Sequence, residues 1–122
     1  MLHMKNLAPG LIRQRVIIEL TTRELVGPDE IKKYLLGLVA VTKMERLSGP
    51  HTYDAHGMGY AGYVHWKTSG TTVYTYPSEC TGHLPLVTVD CYTCKPFDVD
   101  EAVGYTRGFF EAVELAHEEV TR

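Results

Sequence analysis

Residues 86–94 read LVTVDCYTC, and their period of two decides how the rest of the chain is read. In an extended strand Val87, Val89 and Cys91 point one way, while Thr88, Asp90, Tyr92 and Cys94 point the other. The first set is core. The second is a polar, ionisable row on the opposite face of a sheet, suited to form the wall of a site. Pro96 closes the run, because proline donates nothing to a ladder.

Working outward, Tyr63–Lys67 and Thr71–Tyr76 read as two further strands separated by Thr68-Ser69-Gly70, and Pro77–Pro85 is a polar connection. Arg15–Leu20 (RVIIEL) is a short β-branched strand near the start. Gly27-Pro28-Asp29 is a turn in which Asp29 can cap the next helix; Ile31, Tyr34, Leu35 and Leu38 recur at helical spacing up to about Met44. Gly49-Pro50 breaks the pattern, and 50–62 reads as loop or irregular strand. Asp98 or Asp100 caps a last helix running to about Val120, with Val99, Val103 and Phe110 along its apolar line. Its acidic end, Glu118-Glu119, opposes the helix dipole. Strands adjacent in sequence favour antiparallel pairing. The expectation is an α+β two-layer sandwich, a mainly antiparallel sheet with two helices on one face, in a single domain over 1–122.

Composition narrows the function. A formal net charge of -3 and a pI near 6.0 argue against a basic nucleic-acid footprint. The apolar runs Val16–Leu20 and Leu35–Ala40 fall far short of the ~20 residues of a membrane span. Residues 1–10 lack the pattern of a signal peptide, so a cytoplasmic location is expected. Three cysteines make a poor disulfide framework and are expected to be thiols. Cys91-Tyr92-Thr93-Cys94 is a CxxC, yet Cys80 with His83, or His51 with His56, would be an irregular second ligand pair, and no metal is expected. Phosphate-cradling, dinucleotide-binding and HExxH motifs are missing from the sequence.

The stretch 67–77, KTSGTTVYTYP, is unusually rich in hydroxyls for a half-buried strand. A serine next to a flexible glycine can bring its Oγ onto the preceding carbonyl carbon. An N→O acyl shift, β-elimination and hydrolysis would then leave a pyruvoyl group. Such an α-keto amide condenses with a substrate amine and acts as an electron sink when carbon dioxide departs. Thr-Ser-Gly is also a common turn tripeptide.

The stretch from Gly62 to Cys94 resembles the core of the prokaryotic S-adenosylmethionine decarboxylases, which are pyruvoyl-dependent. In that family a strand leads to Glu-Ser-His, a second ends in His-Thr-Trp-Pro-Glu and a third in Asp-x-Phe-Thr-Cys. This chain has Thr68-Ser69-Gly70, Tyr74-Thr75-Tyr76-Pro77 and Asp90-Cys91-Tyr92-Thr93-Cys94, with matching spacing from Ser69 to Pro77. The resemblance implies that Ser69 is the pyruvoyl precursor, cut from Thr68, and that Cys94 returns a proton to the substrate α-carbon. A thiol, with an unperturbed pKa near 8.5, stays mostly protonated at neutral pH.

This chain departs from the family at named positions. The family's processing histidine falls on Tyr74, its glutamate before the serine on Thr68, and its histidine after the serine on Gly70. His65 and His56 are alternative bases. The ribose-binding glutamate falls on Ser78 with Glu79 adjacent, and the adenine-stacking aromatic falls near Ala55 with Tyr53 close. The expected substrate contacts are Tyr53, Tyr76, Glu79 and Asp90, and the expected catalytic set is Ser69, Cys94 and Tyr74. The resemblance implies decarboxylation of S-adenosylmethionine in polyamine biosynthesis by a homodimer. Arginine or ornithine is the alternative substrate, needing neither stacking ring nor ribose acid. A homologue that does not self-process and serves as a binding or regulatory subunit is the non-enzymatic reading, and a zinc or thiol protein using Cys91 and Cys94 is a third.

Overall fold

The computed structural model describes residues 4–122. Six strands form one antiparallel sheet: β1 (Gln14–Thr21), β2 (Arg46–Asp54), β3 (Tyr60–Trp66), β4 (Ser69–Tyr76), β5 (Leu86–Thr93) and β6 (Glu114–Thr121). Their spatial order is β2-β3-β4-β5-β1-β6. Two long helices, α1 (Pro28–Thr42) and α3 (Val99–Phe110), cover one face, and a single turn, α2 (Ser78–Thr81), interrupts the connection from β4 to β5. The expected two-layer α+β sandwich is the observed one.

Alternation places the core. Val16, Ile18 and Leu20 of β1, Val73 of β4, and Val87, Val89 and Cys91 of β5 are at most 1% exposed. They pack under Ile31, Tyr34, Leu35 and Leu38 of α1 and Ala102, Val103 and Phe110 of α3. Tyr34, wholly buried between the helices, shares a hydrogen bond with Thr106 Oγ1 at 2.8 Å and stacks on Tyr105 at 5.4 Å. Burial pushes its phenol pKa far up, so it stays neutral.

Three local expectations are corrected. Helix α1 takes Gly27 as its N-cap with Pro28 in the first turn, so Asp29 lies inside the helix near its positive end instead of capping it. Gly49-Pro50 does not end an element but lies inside β2, which pairs with β3 through two register shifts, the irregular-strand alternative for the start of 50–62. The last helix stops at Phe110 and does not reach Val120. Glu111 turns left-handed (φ 50), and the chain doubles back as β6 along β1. Glu118 and Glu119 are therefore edge-strand residues, and Glu119 accepts hydrogen bonds from Thr121 and Gln14 that hold its carboxyl pKa below the ordinary value. Asp98 does cap α3, accepting the Glu101 N–H at 3.1 Å.

Candidate active site

Strands β3 and β4 form a tight hairpin. Trp66 pairs with Ser69, so Lys67 and Thr68 are the turn and the Thr68–Ser69 peptide leaves it. Ser69 has φ +125, a conformation that a residue with a side chain rarely adopts. Holding it there costs of the order of 1–3 kcal/mol, which the surroundings must offset. They do so from both sides of the turn. Lys67 N–H donates to the Glu45 carbonyl at 2.8 Å, and Cys94 N–H donates to the Thr68 carbonyl at 3.0 Å. Below, the buried Thr93 hydroxyl lies 3.1 Å from Thr68 Oγ1 and accepts the Lys95 N–H.

Gly70 follows for a steric reason. A β-carbon there would lie 2.4 Å from the Val64 carbonyl oxygen and 3.3 Å from the His65 α-carbon. The backbone of β3 thus leaves no room for a side chain at 70, and His65 is the residue directly across the ladder.

The face of the sheet away from the helices is open. It holds a shallow depression of about 680 Å³ lined by side chains or backbone of β1, β3, β4 and β5, among them Ser69, His65, Tyr63, Tyr74, Asp90 and Arg15. Arg15 grips Asp90 in two-pronged fashion, Nε to Oδ1 at 3.0 Å and Nη2 to Oδ2 at 2.7 Å. Tyr63 anchors an aromatic group: Tyr53 lies nearly parallel to it at 6.2 Å, and His65 meets it edge-on at 4.9 Å. The Tyr53 phenol beside it raises the Tyr63 pKa.

Of the expected catalytic residues, Ser69 and Tyr74 line the depression, and Cys94 is half-buried just past β5, tied to the turn by its backbone N–H. Among the expected substrate contacts, Asp90 is in the wall and Tyr53 reaches it through Tyr63. Tyr76 and Glu79 are not among the lining residues; Tyr76 pairs with Leu86 at the far end of β4, and Glu79 is exposed on α2. His56 lies in the β2–β3 connection, at the opposite end of the hairpin from Ser69. Arg15, like Tyr63 and Thr72, is a lining residue that the sequence did not assign to the site. Its signal was the alternation of Arg15, Ile17 and Glu19 against Val16, Ile18 and Leu20, which becomes informative only once β1 is known to lie beside β5.

The two cysteines of the CxxC occupy different worlds. Cys91 is buried on the helix side, where Thr71 Oγ1 donates to its sulfur at 3.3 Å, and burial pushes its thiol up to about 12. No group of three or more histidine, cysteine or acidic side chains converges on a metal position among the described residues. Among the described residues no helix is long and apolar enough to cross a membrane.

Comparison with known proteins agrees with the architecture. Residues 14–122 match the family described as S-adenosylmethionine decarboxylase. The fold is similar to that of the adenosylmethionine decarboxylase from Aquifex aeolicus VF5, with a TM-score of 0.72 at 21% identity, covering 90% of this chain and 89% of that one. No match is found among curated proteins.

Proposed function

The chain belongs to the S-adenosylmethionine decarboxylase family, and from that premise we propose that it converts Ser69 into a pyruvoyl group and decarboxylates an amine-bearing substrate, S-adenosylmethionine first. The observation that carries this reading is the joint geometry of the turn: Ser69 is held at φ +125 while the Cys94 N–H donates to the Thr68 carbonyl at 3.0 Å. That carbonyl carbon is the one Ser69 Oγ must attack. An N–H already aimed at its oxygen stabilises the negative charge that develops there. Strain at Ser69 is relieved when the Thr68–Ser69 bond breaks, so the backbone favours the cut.

The same residues suit the group that would result. Once formed, the pyruvoyl group supplies the electron sink for loss of carbon dioxide. Cys94, at the turn, is the thiol that protonates the substrate α-carbon; Cys91, buried and pushed up to about 12, is the wrong donor. Tyr74 offers a phenol to the bound substrate from the wall of the depression. Asp90, oriented by Arg15, offers a carboxylate to a cationic part of it. The nearly parallel Tyr53 and Tyr63 rings supply a flat apolar surface at one side. In this reading residues 1–122 work as one domain cut between Thr68 and Ser69, in the cytoplasm and in polyamine biosynthesis. A homodimer would cover the open sheet face.

A second substrate class has an observation of its own. Tyr76 and Glu79 do not line the depression, and Ser78 stands where the family's ribose-binding glutamate falls. A plain basic amino acid, arginine or ornithine, would fill the site without them. Intact-mass measurement under denaturing conditions tests the chemistry: two fragments divided at Thr68/Ser69 are expected, one carrying a carbonyl that reacts with hydroxylamine. A single chain of full mass overturns the pyruvoyl reading in favour of a binding or regulatory role. Carbon dioxide release measured side by side with S-adenosylmethionine, arginine and ornithine decides the substrate.

A further inference from the structure

We propose that His65, on the strand facing Ser69, is the general base that drives self-cleavage of this chain. The inference rests on the pyruvoyl reading above and adds to it the group that moves the protons. Position 70 cannot hold a side chain, because a β-carbon there would collide with the Val64 carbonyl oxygen. The cross-strand partner of that empty position is His65, and the next pair along the ladder is Trp66 with Ser69. His65 and Ser69 line the same depression. The imidazole is exposed to solvent and meets Tyr63 edge-on at 4.9 Å, which fixes its plane without burying it.

The competing groups are worse placed. Tyr74 lies five residues beyond Ser69 on the same strand, roughly 16 Å along β4 at about 3.3 Å per residue. His56 is at the other end of the hairpin, and His51 is engaged by Ser48 Oγ at 3.0 Å. Asp90, the carboxylate in the wall, is held by Arg15. An imidazole is also the stronger choice chemically, since its ordinary pKa lies near neutrality and that of a phenol near 10.

The steps balance. His65 takes the hydroxyl proton of Ser69 as Oγ bonds to the Thr68 carbonyl carbon. The C–N bond between Thr68 and Ser69 then breaks, and the imidazolium returns the proton to the departing nitrogen, leaving an ester and a free amine. The neutral imidazole next removes the Ser69 α-proton while the Cβ–Oγ bond breaks and Thr68 leaves as a carboxylate. One water converts the resulting dehydroalanine, through its imine tautomer, to the keto group and releases ammonia.

The test follows cleavage by intact mass, from synthesis of the full chain onward, in wild type, His65→Ala, His65→Gln and His56→Asn. Both His65 variants are expected to cleave at least about 100-fold more slowly, the usual contribution of a positioned acid–base group. His56→Asn should cleave as wild type does. Adding imidazole to purified, uncut His65→Ala should restore cleavage, because the depression is open and large enough to admit it. Cleavage of His65→Ala at the wild-type rate, or a slow variant indifferent to imidazole, overturns the role of His65 and leaves the pyruvoyl reading standing. A wild-type chain that stays whole overturns both.

Discussion

The two faces of the sheet are written by alternate residues of the same strands, yet they obey different rules. On the helix side Val73, Val87, Val89, Cys91 and Trp66 are sealed beneath α1 and α3. On the other side Tyr74 and Tyr92 are nearly half exposed, among Arg15, Tyr63, His65, Thr72 and Asp90. The first face has one chemical task, exclusion of water. The second has more hydrogen-bonding groups than a core tolerates and more aromatic surface than solvent alone favours. Ser69, in a strained conformation, sits where the hairpin turns between β3 and β4 and lines the open face. The lesson is that the packed face can hold strain for the open face to use.

Experiment can test that contrast from several sides. The largest effect belongs to Ser69→Ala, which should abolish cleavage entirely while the variant still unfolds in urea with a normal midpoint; cleavage elsewhere would appear as a different pair of masses. Next is the packed face. Trp66→Ala should cost about 3–5 kcal/mol, read from urea unfolding of the uncut Ser69→Ala background, because it empties the largest fully buried side-chain volume. A loss below about 1 kcal/mol would mean that this face is not a sealed core.

Alkaline pH should probe the same face more gently. Cys91 is pushed up to about 12 in the folded state from an ordinary 9.0, chiefly by burial, and the phenol of half-buried Tyr105 rises to about 12 from 10.0 for the same reason. The unfolded chain therefore sheds these protons first as pH rises. Their stabilising contribution is whole below pH 9 and is lost progressively between pH 9 and 12. Cys91→Val should flatten that decline in unfolding curves at stepped pH, and an unchanged slope would remove Cys91 from the explanation.

The smallest effects lie on the open face. Ser69→Gly should stabilise the uncut chain by about 1 kcal/mol, the strain relieved less the extra freedom of an unfolded glycine. A destabilised glycine variant would show that Ser69 is not strained at rest. Arg15 and Asp90 are 48% and 38% exposed along their side chains, so a double-mutant cycle should find a coupling no larger than about 1 kcal/mol, weakening with salt.

Legibility in the sequence followed the same division. The packed face declared itself wherever period two was strict, as in β5, and a cap is a local device, so the start of α3 was narrowed to Asp98 or Asp100, of which Asp98 is the cap. The end of α3 was hidden: its left-handed residue is Glu111 where a glycine would be the usual signal, and no proline follows. Strand β6 is then an edge with nearly every residue exposed, so it carries neither a strand nor a helix period. The open face was only partly legible. Ser69, Tyr74 and Asp90 could be named from spacing and resemblance, but Arg15 joins them through strand order, which is a long-range property. Likewise, no sequence pattern says that the β3 backbone crowds position 70; only the register does.

Strand order also determines what would hold together a chain severed at Thr68–Ser69. Residues 1–68 would carry β1, β2 and β3, residues 69–122 would carry β4, β5 and β6, and the order β2-β3-β4-β5-β1-β6 shuffles the two sets like interlocked fingers. The ladders β3–β4, β5–β1 and β1–β6 would each join one piece to the other, and only β2–β3 and β4–β5 would be internal to a piece. The severed molecule would be a clasp: two strings that cannot drift apart without first undoing most of the sheet.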